Sequence, residues 1–372
     1  PEAVGVGLVF GVASYTLLPN MGNTAYQDND LVSEVLKALR GRLPAGWASS
    51  VAAPSTTARA ATIDVVLSIR RKRAAGTIRV DASSRVEPKD VDYLAAALRP
   101  TADDPVLIAA PYLSPRTQER LRDGGFSYAD LTGNIRLELT EPGLFIDTTG
   151  ARENPDPSPR DRKSLKGAKA GRLVRALCDF RPPVGLRELA KRAGVDPGYA
   201  SRVVELLDRE AIVTRTPRGP ISAVDWRGLL NRWAQEYSPF RRQGATMYLA
   251  ARGIPAMTER LKQLNVRYAV TGSWGAAEVA PVAPPRLLTV YVDRPRDVEQ
   301  ALELRPAEAG ANIALFTPFD DIVFERTSVK KGVTIAAISQ IAADLLTSPG
   351  RGPNEAEALM QWMQENEDAW RA

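Results

Sequence analysis

Residues 186–221 read LRELAKRAGVDPGYASRVVELLDREAIVTRTPRGPI, and the side chains there that could do chemistry are hydrogen-bond donors. Tyr199, Ser201 and Arg202 fall within one helical turn, directly after Pro197 and Gly198. Side chains of these types at a helix start can bond base edges and phosphates in a major groove. Arg215, Thr216 and Arg218 crowd a Pro-Arg-Gly-Pro turn, where arginine suits phosphates or a minor groove. Upstream lie Lys163, Lys166 and Lys169, in a stretch from Arg160 to Arg175 that holds seven basic residues and one acid, Asp161. Such a run adds sequence-independent attraction to a polyanion; a solvated linker is the plainer reading. Bond-breaking chemistry is poorly supplied. The chain has no histidine, which excludes Ser-His-Asp and Cys-His catalysis and imidazole metal sites. Its one cysteine, Cys178, excludes an intramolecular disulfide and sits among Leu173, Val174 and Leu177 as a packed helix residue would.

The elements that must hold these donors can be read from spacing. Leu186, Leu189, Ala190 and Ala193 recur at i, i+3, i+4, i+7, which predicts a short helix buried on one side. Gly194 suits the left-handed residue after its end. Asp196 suits the cap of a second helix and Pro197 its first position, where no backbone N–H is missed. In that helix Ala200, Val203, Val204 and Leu207 face inward, so Tyr199, Ser201 and Arg202 face outward. IVTRTPRGPISAV then predicts a β-hairpin, with Ile212, Thr214 and Thr216 alternating against Val213 and Arg215, and Arg215 and Arg218 near the tip. This is the order of a winged helix-turn-helix. The competing reading is a winged fold used for protein contact. The following WRGLLNRWAQEY places Trp226, Leu229, Leu230, Trp233 and Tyr237 on one stripe, expected to pack on the next domain, and it is the only hint of a dimer.

At 372 residues several domains are expected, and 44% hydrophobic with 25% charged residues is an ordinary globular balance. The net charge of +5 and pI of about 9.3 mildly favour an acidic partner. No apolar run reaches eighteen residues, and PEAVGVGLVFGVASYTLLP lacks a basic leader, so neither a membrane span nor a secretory signal is expected. The expected divisions are an extension over 1–29, an α/β domain over 30–150, a basic linker over 151–170, the winged helix-turn-helix over 171–225 and a second α/β domain over 226–372. In the first domain, DLVSEVLKALRGRL reads as a helix, TIDVVLSIRRK and GTIRVD as a β-pair, KDVDYLAAAL as a helix and PVLIAAPYL as a buried strand. SPRTQERLRDGG follows as a helix capped by Ser114, then FSYADLTGNIRLEL and GLFIDTTG as strands. In the last domain VTIAAISQIAADLL and PNEAEALMQWMQENEDAW read as helices.

The first domain resembles the PD-(D/E)xK nuclease-like fold, which implies carboxylates holding Mg²⁺ and an Asp/Glu-x-Lys on the next strand. Asp64 and Asp81 match the acids, but Ser83 stands where the lysine belongs and Lys89 lies too far along. A Mg²⁺-dependent nuclease built on Asp64 and Asp81 is therefore the alternative, and a degenerate, silent domain the preferred reading. The last domain resembles a nucleotidyltransferase-like module, whose active members follow a Gly-Ser turn with Asp-x-Asp. Gly272 and Ser273 are present, with Gly275 a further turn former. The next strand offers Asp293 alone, with Thr289 and Tyr291 where acids would be wanted. No cofactor and no metal are implied.

Taken in order, the regions resemble the AbiEi-like antitoxin and transcriptional-regulator family of type IV toxin–antitoxin systems, in its long members. APYLSPRTQERLRDGGFSYADLTGNIRL looks like their nuclease-like domain, LRELAKRAGVDPGYASRVVELLDREAIV like their winged helix, and VTGSWGAAEVAP and IAADLLTSPGRGPNEAEALMQWM like their C-terminal module. The resemblance implies DNA binding, transcriptional control and autoregulation; it does not establish a toxin partner. Together with the residues it gives an α/β and α+β multidomain protein, cytoplasmic and nucleoid-associated, that binds double-stranded promoter DNA without catalysis and leaves a homodimer, a toxin or another protein open as a further partner.

Overall fold

The computed structural model describes residues 28–52, 62–69, 74–158, 164–216, 219–242, 245–307 and 309–372. The extension expected over residues 1–29 lies almost wholly outside them, as do Lys163 and Arg218. The chain divides into two compact units, residues 1–161 and 162–372. Among the described residues no helix is long and apolar enough to cross a membrane.

The first unit opens with α1 (Asp28–Arg40), whose Leu31, Val35, Leu36 and Leu39 are buried as their spacing predicts. There follow β1 (Trp47–Val51), β2 (Thr62–Ile69), β3 (Ala74–Ala82), α2 (Asp90–Leu98), β4 (Val106–Ala110), α3 (Pro115–Asp123), β5 (Ser127–Asp130), β6 (Ile135–Leu139) and β7 (Leu144–Thr148). The seven strands lie in chain order; β3, β4 and β5 run parallel, and the other neighbours pair antiparallel. The two parallel steps are those bridged by α2 and α3, as a parallel connection requires a crossover. Every residue of β4 is buried, because both faces are covered. Leu107 and Ala109 join Val65, Leu67, Ile78 and Val80 against α1, while Val106, Ile108 and Ala110 face Val91, Leu94 and Leu121 of α2 and α3. The strand β1 is an addition to the elements expected from sequence.

The second unit begins with α4 (Ala168–Asp179), α5 (Leu186–Arg192), α6 (Pro197–Arg209), the hairpin β8 (Val213–Arg215) and β9 (Ile221–Val224), and α7 (Trp226–Ala234). Residues 168–170, expected in the linker, are the first turn of α4. Next come α8 (Pro239–Arg242), β10 (Thr246–Leu249), α9 (Gly253–Leu261), β11 (Tyr268–Thr271), α10 (Gly272–Ala277), β12 (Leu288–Val292), α11 (Pro295–Leu302), β13 (Arg305–Pro306) and β14 (Ile313–Phe316). A 3-10 turn (Asp321–Phe324), β15 (Ser328–Lys330), β16 (Val333–Ile335), α12 (Ile338–Leu346), α13 (Gly352–Glu365) and α14 (Glu367–Trp370) complete it. Their mixed sheet has the order β13-β10-β14-β12-β11-β16-β15. VTIAAISQIAADLL is thus not helical throughout. Val333–Ile335 pairs in the sheet through Val270↔Ile335, and the helix starts only at Ile338.

One apolar cluster joins the helices of this unit to its sheet, and another packs the sheet on α9 and α11. Trp226, Leu229, Leu230, Trp233 and Tyr237 are buried with Leu173, Val174 and Leu177 of α4 and Ile341, Ala342 and Leu345 of α12. The aromatic stripe is therefore interior packing within this chain, and its hint of a dimer seam falls away. Gly275, read as a turn former, lies inside α10; a Cβ there would meet Ile341 Cδ1 at 2.9 Å, so the Ile341 side chain packs directly on the glycine. At the centre sits Asp344, fully buried. It accepts from Tyr237 Oη (2.7 Å), Tyr291 Oη (2.9 Å), Gln340 Nε2 (2.9 Å) and Thr271 Oγ1 (2.5 Å). Burial pushes its pKa up and the four donors pull it back. Gln340 Oε1 in turn accepts from Arg175 (3.1 Å), itself wholly buried and bonded to Asp179.

Candidate nucleic-acid interface

The turn between α5 and α6 is fixed by local hydrogen bonds. Gly194 takes φ +59°, and its N–H reaches Lys191 O (3.1 Å) while Val195 N–H reaches Ala190 O (3.0 Å). This paired closure satisfies carbonyls that the end of α5 would leave open. Asp196 Oδ1 then accepts from Gly198 N (2.9 Å) and Tyr199 N (3.1 Å), with Pro197 opening α6. The cap and start sit where the sequence places them.

On α6, Ala200, Val203, Val204, Leu206 and Leu207 are buried, while Pro197, Gly198 and Arg202 are exposed. Arg202 makes no ion pair among the described residues; its guanidinium lies 5.9 Å from the Tyr199 ring centre. Tyr199 is only partly outward. Its ring packs against the core, and burial raises its phenol pKa, so the hydroxyl keeps its proton. Ser201 is half-buried beside it.

The hairpin departs from the expected alternation. Ile212 and Val213 are both buried, because α6 ends with Ala211 at φ +51° and Ile212 N bonded back to Leu207 O (2.8 Å). Ile212 thus belongs to the helix end and the strand starts one residue later. Val213 pairs with Val224 and Thr214 with Ala223, and the register shifts at Arg215 opposite Ile221. Val184 exchanges two backbone bonds with Ile221 (3.1 and 2.9 Å), adding a third short segment to the hairpin's base. Arg215 is not a free cation at the tip: it is half-buried with Nε 3.9 Å from Asp208 Oδ1 on α6. Thr216 is exposed and its carbonyl accepts from Gly219 N (2.9 Å). Lys166 and Lys169 are exposed, on a segment anchored where Leu165 N donates to Glu236 Oε2 (3.1 Å).

Residues 164–225 contain twelve Lys and Arg against seven Asp and Glu, a net of +5 equal to that of the whole chain. The positive excess is therefore concentrated on these helices. Sequence reasoning missed Arg187 and Lys191, exposed on α5, and Arg172 on α4, whose Nη1 lies 3.5 Å from Gly194 O. The apolar spacing of α5 assigned its inward face but gave no roles to the basic residues opposite.

The carboxylates considered for catalysis are placed differently. In the first unit Asp64 faces Arg79 across the β2–β3 pair, and Asp81 faces Thr62, so both acids lie on one side of the sheet. Lys89 is turned to Glu87 (3.8 Å). No group of three potential metal ligands occurs among the described residues. Asp130 is committed to the turn after β5, accepting from Leu113 N, Thr132 N and Asn134 N at 2.9–3.0 Å. In the second unit Gly272 and Ser273 border a cavity of about 350 Å³ with Thr289, Arg286 and Arg351. Tyr291 is buried against Asp344, and Asp293 pairs with Arg267 (2.9 Å). Ser273 Oγ donates to Glu355, which pairs with Arg351 (2.8 Å). The carboxylates that reach this segment among the described residues are Glu355, on Ser273, and Asp344, on Thr271, and not an Asp-x-Asp of β12.

No curated protein and no solved structure matches the chain. Residues 223–364 match the family described as transcriptional regulator, AbiEi antitoxin, type IV TA system. The match begins after α6 and spans β10 to α13, so it covers the C-terminal sheet and not the turn with its exposed donors. It bears out the C-terminal part of the resemblance read from the sequence: residues 223–364 are similar to the AbiEi antitoxins and transcriptional regulators of type IV toxin–antitoxin systems, while the nuclease-like and winged-helix parts lie outside the match.

Proposed function

We propose that the chain is a transcriptional regulator that reads double-stranded DNA through a winged helix-turn-helix made of α4, α5, α6 and the β8–β9 hairpin. The observation that carries this reading is the start of α6. A capped, proline-opened helix end stands exposed, with Arg202 unpaired among the described residues, on the part of the chain where the positive charge collects. An arginine so placed can form a bidentate pair with a base edge, worth about 1–3 kcal/mol of discrimination. Gly198 lets backbone approach closely, Ser201 adds a hydroxyl, and Lys166, Lys169, Arg187 and Lys191 supply phosphate attraction. Lys163 and Arg218, outside the described residues, would extend that set. Arg215 acts at the wing by bracing it on Asp208, with Thr216 beyond. The nuclease-like and nucleotidyltransferase-like modules are catalytically silent in this reading.

The test is binding of the whole protein to labelled DNA from its own promoter region and to a shuffled duplex, across a salt series. A promoter affinity about a thousandfold above the shuffled one, with a steep salt slope, is the expected result. Arg202→Ala should lower promoter affinity about tenfold or more and shuffled affinity far less. Equal affinities for both duplexes would sink sequence reading, and equal losses in Arg202→Ala would make that side chain a phosphate contact. The position of the family match on the C-terminal sheet favours a second role for that module, contact with a protein toxin.

A further inference from the structure

We infer that Asp320, in the segment that follows β14 of the C-terminal sheet, positions the DNA-reading turn through Arg172, so that the C-terminal module sets the affinity of the helix-turn-helix. This rests on the proposed DNA reading and goes beyond it by naming what couples the two parts. Arg172 stands on α4 and makes a two-pronged pair with Asp320: Nε to Oδ1 and Nη2 to Oδ2, both 2.9 Å. Its remaining nitrogen, Nη1, is turned to the carbonyl of Gly194 (3.5 Å), the left-handed residue in the turn between α5 and α6. Asp320 is itself held. Its side chain is 8% exposed and its Oδ1 also accepts from Ile322 N (3.0 Å), capping the 3-10 turn.

One helical turn further along α4, Arg175 donates to Ile322 O (3.1 Å) and Glu325 O (3.2 Å). Two arginines on one face of α4 therefore grip both ends of the same 3-10 turn. The other side of that turn is tied to the sheet: Arg267, just before β11, pairs with Asp321 (2.5 Å) and stacks over Phe324 at 4.1 Å. A displacement of the 3-10 turn is thereby passed to α4 and the reading turn by a planar fork. That fork carries orientation as well as attraction, and an ammonium would not reproduce it.

Two variants separate positioning from charge. Asp320→Asn removes a negative charge and Arg172→Lys keeps a positive one, so neither weakens simple attraction to phosphate. Asparagine can still cap the 3-10 turn, which protects the fold. Each should lower promoter affinity about tenfold, in the range of coupling between linked sites, while shuffled-duplex affinity stays level or rises. Asp320→Glu, which keeps the carboxylate, should recover most of the loss. The same variants should speed hydrogen exchange at the amides of Gly194, Val195 and Gly198 about tenfold, with α12 amides unchanged. Promoter affinity that is unchanged, or that rises together with shuffled affinity, would overturn the coupling. Should the unaltered protein show no promoter preference, it is the DNA reading that fails. Exchange then judges the inference alone: altered protection upholds the clamp, and wild-type protection in both variants ends it.

Discussion

Asp344 is a carboxylate surrounded by donors and shut off from water, and its energetics follow from that pairing. Two phenols, a hydroxyl and an amide point at it from β11, β12, α12 and the segment after α7. Asp344→Ala would remove the acceptor these four donors share, leaving Gln340 Nε2 only Tyr237 Oη (2.9 Å) and the two phenols only each other (2.8 Å), which costs about 3 kcal/mol, read as a shift in the urea midpoint. The pH dependence has a definite sign. Burial holds the folded pKa above the ordinary 3.8, so the folded chain binds this proton more tightly than the unfolded chain does. The group's contribution is therefore most favourable below the unfolded value and declines as pH rises through the folded one. Asp344→Asn should flatten that decline in a urea series run upward from pH 4. An identical slope in both proteins would mean that another group produces it. Nothing near Asp344 in the chain announces this role, because its partners lie 53, 73 and 107 residues away and only Gln340 is local.

Among the elements, what can be read in advance is what is encoded locally. Gly194, Asp196 and Pro197 each fix one backbone position, and together they specify an end, a cap and a start within four residues. Asp196→Ala should therefore cost about 1 kcal/mol of stability and Asp196→Ser much less, measured by thermal unfolding of the second unit. A loss as large in Ser as in Ala would mean that the charge, and not the cap, is what the site uses. The far end of α6 was illegible because Ala211 takes the left-handed conformation that sequence reasoning reserves for glycine or asparagine, and Ile212 was read into the strand. The strand β1, Trp-Ala-Ser-Ser-Val, escaped because only its ends carry strand-favouring residues. β16 escaped because three residues cannot display a period, while the helical pattern beside it could.

For the whole molecule, the apolar interior separates into sets that respect the two units. α1, α2, α3 and the first sheet make one group of cores, and the helices and the second sheet make the other. Within the second group one cluster takes in α4, α7, α10 and α12 together. α4 is buried on α7 and α12, Arg371 donates to the carbonyls of Cys178 (2.9 Å) and Phe180 (3.3 Å), and Ala372 N bonds Asp179 O (2.9 Å). The C-terminal residues thus close the end of the first helix of the proposed reading head. A protein comprising residues 162–372 should fold alone, unfold in one cooperative step and keep the promoter preference of the whole chain. Cutting after Val224 should instead expose Leu173, Val174 and Leu177 and leave residues 162–224 aggregation-prone. Retained preference in 162–372 would place DNA reading wholly in the second unit. A large loss, with cooperative unfolding intact, would move part of the interface to the first unit, where Asp64 and Asp81 would then need an explanation other than a silent fold.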